Sequence, residues 1–253
     1  MIFDILTIFP ELLDSPLNES IIRRAREQGH IRIKNTNIRD FALDKHATTD
    51  DRPFGGGEGM VMKADVLQAA VHHVRNENGP GHVILLSPQG RPYNQAVAEE
   101  LSRRKHLILV CGRYEGVDER FRANCVDDEI SIGDYILTGG ELAAMVIVDS
   151  VTRLLPEVLG CADSAEQDTF SRGLLKHPQY TRPREYAGQD VPDVLLSGNH
   201  AQIDEFRFLT SVRQTLERRP DLLPAVTFTP AEIKLLKKQG LYTEIIKQQA
   251  KKT

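Results

Sequence analysis

The first 160 residues alternate between short apolar runs and longer segments with helical periodicity. The runs Val83–Leu86 and Leu107–Cys111 contain no charged or amide side chain, as expected of strands that are buried on both faces. Helical periodicity marks Lys63–Glu77 before them and Glu141–Leu155 after them. Strands and helices that alternate in this way predict an α/β fold, with a mainly parallel sheet covered by helices.

Weaker signals extend the same pattern along the first 160 residues. The further predicted strands are Ile2–Ile8, Ile31–Ile33 and Val126–Ile132, and the further predicted helices are Leu12–Glu27 and Gln95–Arg104.

The organisation changes after residue 160, where the sequence becomes polar and loses its periodicity. Residues 161–172 are predicted to be a linker, and prolines and glycines predict a largely irregular stretch over 173–198. Two helices are expected to follow, Gln202–Arg218 and one that ends at Gly240. The second opens with the capping box Thr229-Pro230-Ala231-Glu232. The expected domains are therefore an α/β domain over 1–160 and a small helical domain over 173–253.

Charge is distributed unevenly along a chain whose net charge is −4. Residues 172–253 contain 14 Lys and Arg against 9 Asp and Glu, whereas residues 1–171 contain 18 against 27. A basic C-terminal third is where a polyanion such as RNA would bind. On charge alone, a solvated helical surface explains the same excess.

No segment of the sequence has the length that a membrane-spanning helix needs. The longest apolar run, Leu142–Val148, is seven residues long, against about 20 for a helix that crosses a bilayer. The first ten residues contain Asp4 and no basic leader, so they do not resemble a signal peptide. The expected location is the cytoplasm, with no membrane partner.

Glycine-containing loops follow three of the predicted strands. They begin with Ser87-Pro88-Gln89-Gly90, Gly112-Arg113-Tyr114-Glu115 and Gly133-Asp134-Tyr135. Open α/β sheets bind ligands beyond the carboxyl ends of their strands, and glycine lets the main chain approach a flat ligand closely. Each loop alone is better explained as a tight turn, and only the three loops together indicate a ligand site.

Two common nucleotide-binding motifs are absent from the sequence. The junction between the first strand and helix reads Phe9-Pro10-Glu11-Leu12 instead of G-x-G-x-x-G, which argues against a nicotinamide dehydrogenase. The cluster Gly55-Gly56-Gly57-Glu58-Gly59 is followed by Met60-Val61, so it is not a phosphate-binding P-loop.

Several motifs taken together resemble the bacterial tRNA (guanine-N1)-methyltransferase family, in order and over nearly the whole chain. They are Arg52-Pro53-Phe54-Gly55-Gly56-Gly57, Leu86-Ser87-Pro88-Gln89-Gly90, Cys111-Gly112-Arg113-Tyr114-Glu115-Gly116, Ser131-Ile132-Gly133-Asp134-Tyr135, Leu137-Thr138-Gly139-Gly140-Glu141 and Tyr180-Thr181-Arg182-Pro183. The chain departs from the family pattern at Glu58, where a proline is common, and at its extreme C-terminus.

The resemblance implies a SPOUT-class α/β domain that ends in a trefoil knot, a feature that general topology rules would not predict. It also implies a homodimer in which both subunits build each active site. The implied methyl donor is S-adenosylmethionine. The residues expected to bind it are Leu86, Ser87, Pro88, Gln89, Gly112, Arg113, Tyr114, Glu115, Ser131, Ile132, Gly133, Tyr135, Ile136, Leu137, Gly139 and Gly140.

By the same resemblance, the methyl group goes to N1 of the guanosine that is 3′-adjacent to the anticodon in tRNA. Asp168 matches the family's general base, and Arg153 matches the arginine that polarises guanine O6. Each residue also has a structural explanation. Ser164 and Gln167 fit a capping box that would make Asp168 a first-turn acid, and Arg153 is favourable near a helix C-terminus.

The remaining expected contacts concern the tRNA and a metal. His46 and Asp50 match substrate-facing residues, and Arg182, Arg184, Arg207 and Arg213 are candidates for phosphate contacts. Each of these six residues is also explained as a solvated surface residue. The resemblance implies that Mg²⁺ assists the reaction, but no ligand cluster in the sequence identifies a metal site.

Two rival functions remain open from the sequence alone. One is a knotted methyltransferase that acts on ribose or on ribosomal RNA. The other is an RNA-binding protein without catalytic activity on the same scaffold.

Overall fold

The computed structural model describes residues 1–159, 169–170 and 172–250. The chain divides into two compact units, residues 1–162 and 163–253. Most of the predicted linker, residues 161–172, lies outside the described residues, so the domain boundaries remain a prediction.

The first unit is built on a five-stranded sheet in the order β2-β1-β6-β5-β7, and every pairing in it is parallel. This finding confirms the α/β fold class. The trefoil knot remains a prediction. In chain order, the strands of this unit are β1 (Ile2–Thr7), β2 (Arg32–Asn37), β3 (Asp50–Asp51), β4 (Val61–Met62), β5 (His82–Pro92), β6 (His106–Cys111) and β7 (Asp128–Ser131).

Helices cover both faces of the sheet. The helices of the first unit are α1 (Ser20–Glu27), α2 (Ala64–Asn78), α3 (Gln95–Ser102), α4 (Glu119–Cys125) and α5 (Glu141–Thr152). Short 3₁₀ helices span Pro10–Leu13, Pro16–Asn18 and Ile38–Phe41.

The core consists of two layers because side chains alternate between the faces of a strand. Leu107 and Leu109 of β6 join the layer that contains Ala144 and Ile147 of α5. Their neighbours on β6 join the opposite layer, under α2 and α4. The sheet is therefore buried on both sides, and its loops beyond the strand ends are left to form a site.

Two predicted elements differ from the structure, and one helix was not predicted. The predicted helix Leu12–Glu27 is wrong in its first half, since two 3₁₀ turns that begin at prolines precede α1, which starts at Ser20. The predicted strand Val83–Leu86 continues to Pro92 as β5. Helix α4, which Asp118 caps by accepting a hydrogen bond from the Arg120 amide, was not predicted.

The second unit contains the two predicted helices and further elements. Its segments are β8 (Glu185–Tyr186), β9 (Gln189–Asp190), α6 (Asp193–Leu196), α7 (His200–Arg218), α8 (Pro230–Lys238) and α9 (Tyr242–Gln249), with a 3₁₀ helix at Pro220–Ala225. The β8–β9 hairpin and α6 lie in the stretch that was expected to be irregular. The capping box at α8 is confirmed, because the side chains of Thr229 and Glu232 each accept a hydrogen bond from the other's backbone amide.

Val212, Leu223 and Leu236 are fully buried in a separate core of the second unit. In neither unit do the described residues include a helix with the length and apolarity that a membrane crossing requires.

Candidate functional site

A cavity of about 540 Å³ lies between the second half of β5 and the loops that follow β6 and β7. These strands are neighbours in the parallel sheet, so their carboxyl ends meet at one edge. The pairing of β5 with β7 shifts between Leu86 and Arg91, and the residues between them leave the ladder. The register shift thus makes part of the cavity wall out of strand β5 itself.

All sixteen residues predicted to bind the cofactor line this single cavity. They are Leu86, Ser87, Pro88, Gln89, Gly112, Arg113, Tyr114, Glu115, Ser131, Ile132, Gly133, Tyr135, Ile136, Leu137, Gly139 and Gly140. The structure therefore brings together residues from strand β5 and from two separate loops, while their role in binding remains a prediction.

Other lining residues were not predicted from the sequence. They are Leu85, Gly116, Val117, Glu119, Arg122, Glu129, Ile130, Thr138 and Ala143. Gly116 and Thr138 lie beside predicted positions, so contiguity along the loops was a usable signal for them. Glu119 and Arg122 belong to α4, and they were missed together with that helix.

Glycines bring the loop after β6 against the start of α5. The Gly140 amide donates a hydrogen bond to the Gly112 carbonyl over 3.0 Å. A Cβ atom at Gly140 would lie 2.8 Å from the Cα atom of Cys111, and one at Gly112 would lie 3.3 Å from the Leu86 carbonyl oxygen. A side chain at Gly140 is thus excluded and one at Gly112 would be crowded, so the main chain itself forms this part of the cavity wall.

The loop after β7 is held by its own hydrogen bonds. The Ser131 hydroxyl donates to the Gly133 carbonyl at 3.1 Å and accepts from the Gly133 amide at 3.2 Å. The Tyr135 hydroxyl donates to the Ile132 carbonyl at 3.2 Å. Gly133 has a φ of +153° and lies against the Tyr135 ring, which leaves no room for a Cβ atom. This loop therefore has a defined shape.

The glycine-rich segment before β4 contacts the loop after β6. The Glu115 amide donates to the Met60 carbonyl at 3.0 Å, and the Glu115 side chain lies where a Cβ atom of Gly59 would be. Gly59 also has a φ of +80°, so two independent constraints favour glycine there. The preceding loop residue, Tyr114, adopts a φ of +58° and is half-exposed.

An ion pair joins the wall of the cavity to the interior. The Arg113 Nη2 and Nε atoms lie 2.9 Å and 3.2 Å from the Glu141 carboxylate oxygens, and the Thr7 hydroxyl donates to the same carboxylate at 2.6 Å. The Arg113 guanidinium also lies 4.4 Å from the centre of the Phe9 ring. Charge-assisted hydrogen bonds and a cation–π contact thus fix the Arg113 side chain.

The thiol next to the cavity is unsuited to act as a nucleophile. Burial raises the pKa of Cys111 well above its usual value, and the nearby Glu141 carboxylate raises it further. Because the thiolate is the reactive form, Cys111 stays protonated and inert near neutral pH. At the outer part of the lining, a hydrogen bond from Arg122 lowers the pKa of Glu119, so that carboxylate is ionised.

The predicted catalytic pair is only partly described. Arg153 is the exposed C-cap of α5, and its amide donates to the Asp149 carbonyl at 3.2 Å. Asp168 lies outside the described residues, and so do Ser164 and Gln167, the residues of the alternative capping box. The roles of Asp168 and Arg153 therefore remain predictions.

The predicted substrate contacts lie on the surface of the two units. His46 is exposed, and its amide donates to Asp44 at 2.9 Å. Asp50 pairs with Met62 in the two-residue ladder of β3 and β4, and the Thr49 hydroxyl donates to its carboxylate at 3.2 Å. Neither residue belongs to the lining of the cavity.

The four predicted phosphate contacts are exposed side chains of the second unit: Arg182, Arg184, Arg207 and Arg213. Three of them have polar partners in the same unit. Arg184 lies 3.2 Å from Asp193 and Arg207 lies 3.6 Å from Asp204, whereas Arg213 donates to Gln239 at 3.4 Å. Within the part of the chain that the structure describes, no group of three or more His, Cys, Asp or Glu side chains could hold a metal ion.

A glycine-lined cavity at the carboxyl edge of a parallel sheet defines the class: an α/β protein that binds a small ligand between its strand loops. The family model described as tRNA (Guanine-1)-methyltransferase TrmD matches residues 1–225. The chain therefore belongs to the tRNA (guanine-1)-methyltransferase family.

Individual relatives cover most of the chain and carry the same name, tRNA (guanine-N(1)-)-methyltransferase. The relative from Geobacter sp. (strain M21) is 55% identical over 235 residues, which are 93% of this chain and 94% of the relative. The relative from Geotalea uraniireducens (strain Rf4) is 58% identical over 223 residues, covering 88% and 90%. The relative from Moorella thermoacetica is 56% identical over 235 residues, covering 92% and 94%.

Proposed function

We propose that this protein transfers a methyl group from S-adenosylmethionine to N1 of the guanosine that is 3′-adjacent to the anticodon in tRNA. The observation that carries the proposal is that one cavity is lined by all sixteen predicted residues, which come from three separate segments of the chain. Those residues were selected through their resemblance to the family to which the chain belongs.

The cavity fits the proposed donor in size and chemistry. Its volume of about 540 Å³ falls within the roughly 300–1,000 Å³ of small-molecule pockets. Gly112, Gly139 and Gly140 place main chain instead of side chains in the lining, and the main chain of such loops can bind the edge of an adenine without charged side chains. When bound, S-adenosylmethionine supplies the methyl group on a sulfonium, which leaves as a neutral thioether.

The protein's part in the chemistry is assigned to two side chains. Guanine N1 carries a proton, and the Asp168 carboxylate accepts it as the methyl group is transferred. Negative charge then develops on guanine O6, which the Arg153 guanidinium stabilises. Support for Asp168 comes from the sequence resemblance, and support for Arg153 comes from the same resemblance and from its exposed position at the end of α5.

The tRNA is proposed to bind to the basic residues of the second unit, and Arg182, Arg184, Arg207 and Arg213 would contact phosphates. His46 and Asp50 are proposed to face the substrate from the first unit. A tRNA substrate agrees with the cytoplasmic location that the sequence predicts. Mg²⁺ is proposed to assist the reaction, as the resemblance to the family implies, and its ligands are left unassigned.

A homodimer with composite active sites is also part of the proposal. Its support is an exposed apolar face on α5. Leu142 and Val146 are 54% and 43% exposed, and they lie on the same face because they are one helical turn apart. Ile136, in the lining of the cavity, is 82% exposed. A second copy of the chain that covers this face would bury these side chains and complete the site.

The decisive experiment uses labelled S-adenosylmethionine and tRNA transcripts that differ only at the guanosine 3′ to the anticodon. We expect label on the guanosine transcript, no label when that base is replaced, and methylation mapped to N1. Label on ribose or on ribosomal RNA would support the rival methyltransferase. Failure to bind S-adenosylmethionine in calorimetry would support the RNA-binding protein without catalysis.

The general base is tested in the same assay with Asp168→Ala. This variant is expected to lose methyl transfer and to bind S-adenosylmethionine with nearly unchanged affinity, because the carboxylate acts on the guanine. Asp65→Ala, a change at an exposed carboxylate of α2, is the control that keeps both properties. Normal turnover in Asp168→Ala would remove Asp168 from the role of base.

A further inference from the structure

Glu141 is a buried carboxylate directly behind the wall of the cavity. It is the first residue of α5, it is 2% exposed, and it accepts hydrogen bonds from Arg113 and from the Thr7 hydroxyl. Burying a carboxylate costs free energy unless a cation and hydrogen bonds compensate it. Three hydrogen bonds from two side chains supply that compensation here, so the position of Glu141 is tightly defined.

Arg113, the ion-pair partner of Glu141, lies in the cavity lining. Its guanidinium is held between the Glu141 carboxylate and the face of the Phe9 ring. Its backbone forms an antiparallel bridge with Gly139, where a Cβ atom would overlap with the Arg113 guanidinium. Glu141 thus controls both the position and the net charge of an arginine in the cavity lining.

The charge of that arginine matters because the proposed methyl donor carries a sulfonium cation. Without the Glu141 carboxylate, Arg113 would place a net positive charge in the wall of the cavity. That charge would repel the positively charged sulfonium of the donor. We propose that Glu141 is a positioning residue that balances the charge of Arg113, so that the cavity accepts the cationic sulfonium of the donor. This inference rests on the proposed function, since it concerns the ligand named there.

Other carboxylates near the cavity do not duplicate this arrangement. Glu119 and Glu129 both pair with Arg122, at 2.5 Å and 3.5 Å, and both are more exposed than Glu141. Among the described residues of the lining and its immediate support, Glu141 is the carboxylate that is almost fully buried and pairs with a lining arginine.

The test compares two ligands that differ at sulfur. S-adenosylmethionine carries the sulfonium, whereas S-adenosylhomocysteine is an uncharged thioether with the same adenosine and amino-acid groups. Their dissociation constants are measured by calorimetry for the wild-type protein and for Glu141→Gln. In Glu141→Gln, we expect the affinity ratio of the cation to the thioether to fall by about tenfold, as for one uncompensated charge nearby in a partly buried site.

Two further variants test whether a change in this affinity ratio comes from the Glu141–Arg113 pair. Arg113→Gln combined with Glu141→Gln removes both charges, and it is expected to restore the wild-type ratio even if both affinities fall. Glu100→Gln breaks the more exposed Arg91–Glu100 pair outside the cavity and is expected to leave the ratio unchanged. If Glu141→Gln alone does not fold, the Arg113→Gln and Glu141→Gln double variant serves as the test. An affinity ratio in that variant that differs tenfold from the wild-type ratio overturns the proposal.

The outcomes separate this inference from the proposed function. If the wild-type protein binds neither ligand, the proposed function fails. If the wild-type protein binds both and Glu141→Gln weakens them equally or not at all, the role of Glu141 in charge balance is wrong while the proposed function stands.

Discussion

Gly90 shows that close contact with a neighbouring backbone, and not only an unusual backbone conformation, can require glycine at a position next to the site. It lies in β5 without a positive φ, yet a Cβ atom there would overlap with the backbone of Glu129 and Ile130 in β7. Gly29 is the opposite case, with a φ of +78° and open space around it. A sequence shows both as the same letter, so the reason for each glycine becomes visible only in the structure.

Gly90→Ala is expected to destabilise the first unit by about 3 kcal/mol, at the upper end of overpacking costs, because two backbones would have to separate. It should also weaken S-adenosylmethionine binding, since β5 carries part of the cavity wall. Gly29→Ala, the control, should cost only about 1 kcal/mol of backbone strain and leave binding unchanged. Urea unfolding and calorimetry measure the two effects, and equal binding by Gly90→Ala would contradict the prediction.

The lowered pKa of His82 leads us to expect that the stability of the folded protein depends on pH. Burial lowers its pKa, the nearby Arg104 lowers it further, and Asp127, Asp128 and Glu100 only partly oppose this shift. The folded state therefore binds a proton less readily than the unfolded state, whose histidine titrates near 6.5. This contribution to stability is present above pH 6.5 and is lost as the pH falls toward the lower folded pKa.

The corresponding experiment measures urea unfolding between pH 7.5 and 5.5. The wild-type protein should lose stability over this range, and His82→Gln should lose less of it. His72→Gln, at an exposed position of α2, should follow the wild-type slope. Identical slopes for His82→Gln and the wild-type protein would show that His82 contributes nothing to the acid sensitivity.

At the scale of elements, the sequence pattern correctly predicted the strands whose side chains are buried. The runs Val83–Leu86 and Leu107–Cys111 lie in β5 and β6, whose apolar side chains are buried there. The continuation of β5 to Pro92 was not predictable, because Arg91 and Pro92 re-enter the ladder only through pairing with β7. Helix α4 has few apolar positions, so its periodicity was too weak to indicate a helix.

Helix α5 carries a prediction about assembly. Val146→Lys places a charge in the exposed apolar face that is proposed to meet a second copy, so it should shift the protein from dimer to monomer. Light scattering after size-exclusion chromatography measures the mass, and methyl transfer should fall with the dimer fraction. Leu43→Lys changes an exposed leucine elsewhere in the first unit and should leave the mass unchanged. A monomeric wild-type protein would refute the proposed assembly.

At the scale of the whole molecule, the topology explains why a site could be predicted without a structure. Parallel strands place their carboxyl ends at one edge, so segments that are far apart in sequence, such as those at Leu86 and Gly112, line one cavity. The substrate contacts lacked such a rule. His46 and the arginines of the second unit are surface residues, and surface positions carry little information about their partners.

The division of charge between the two parts of the chain leads to the last prediction. If phosphates of tRNA are bound by the basic second unit, each lost contact should weaken binding and reduce the slope of log K against log salt by about 0.7–0.9. Arg207→Glu and Arg213→Glu should both do so, while S-adenosylmethionine affinity stays constant because the cavity belongs to the first unit. Arg23→Glu, at a similarly exposed arginine of α1, is the matched control. Filter binding over a salt series gives the slopes, and an unchanged slope in both variants would move the tRNA surface away from α7.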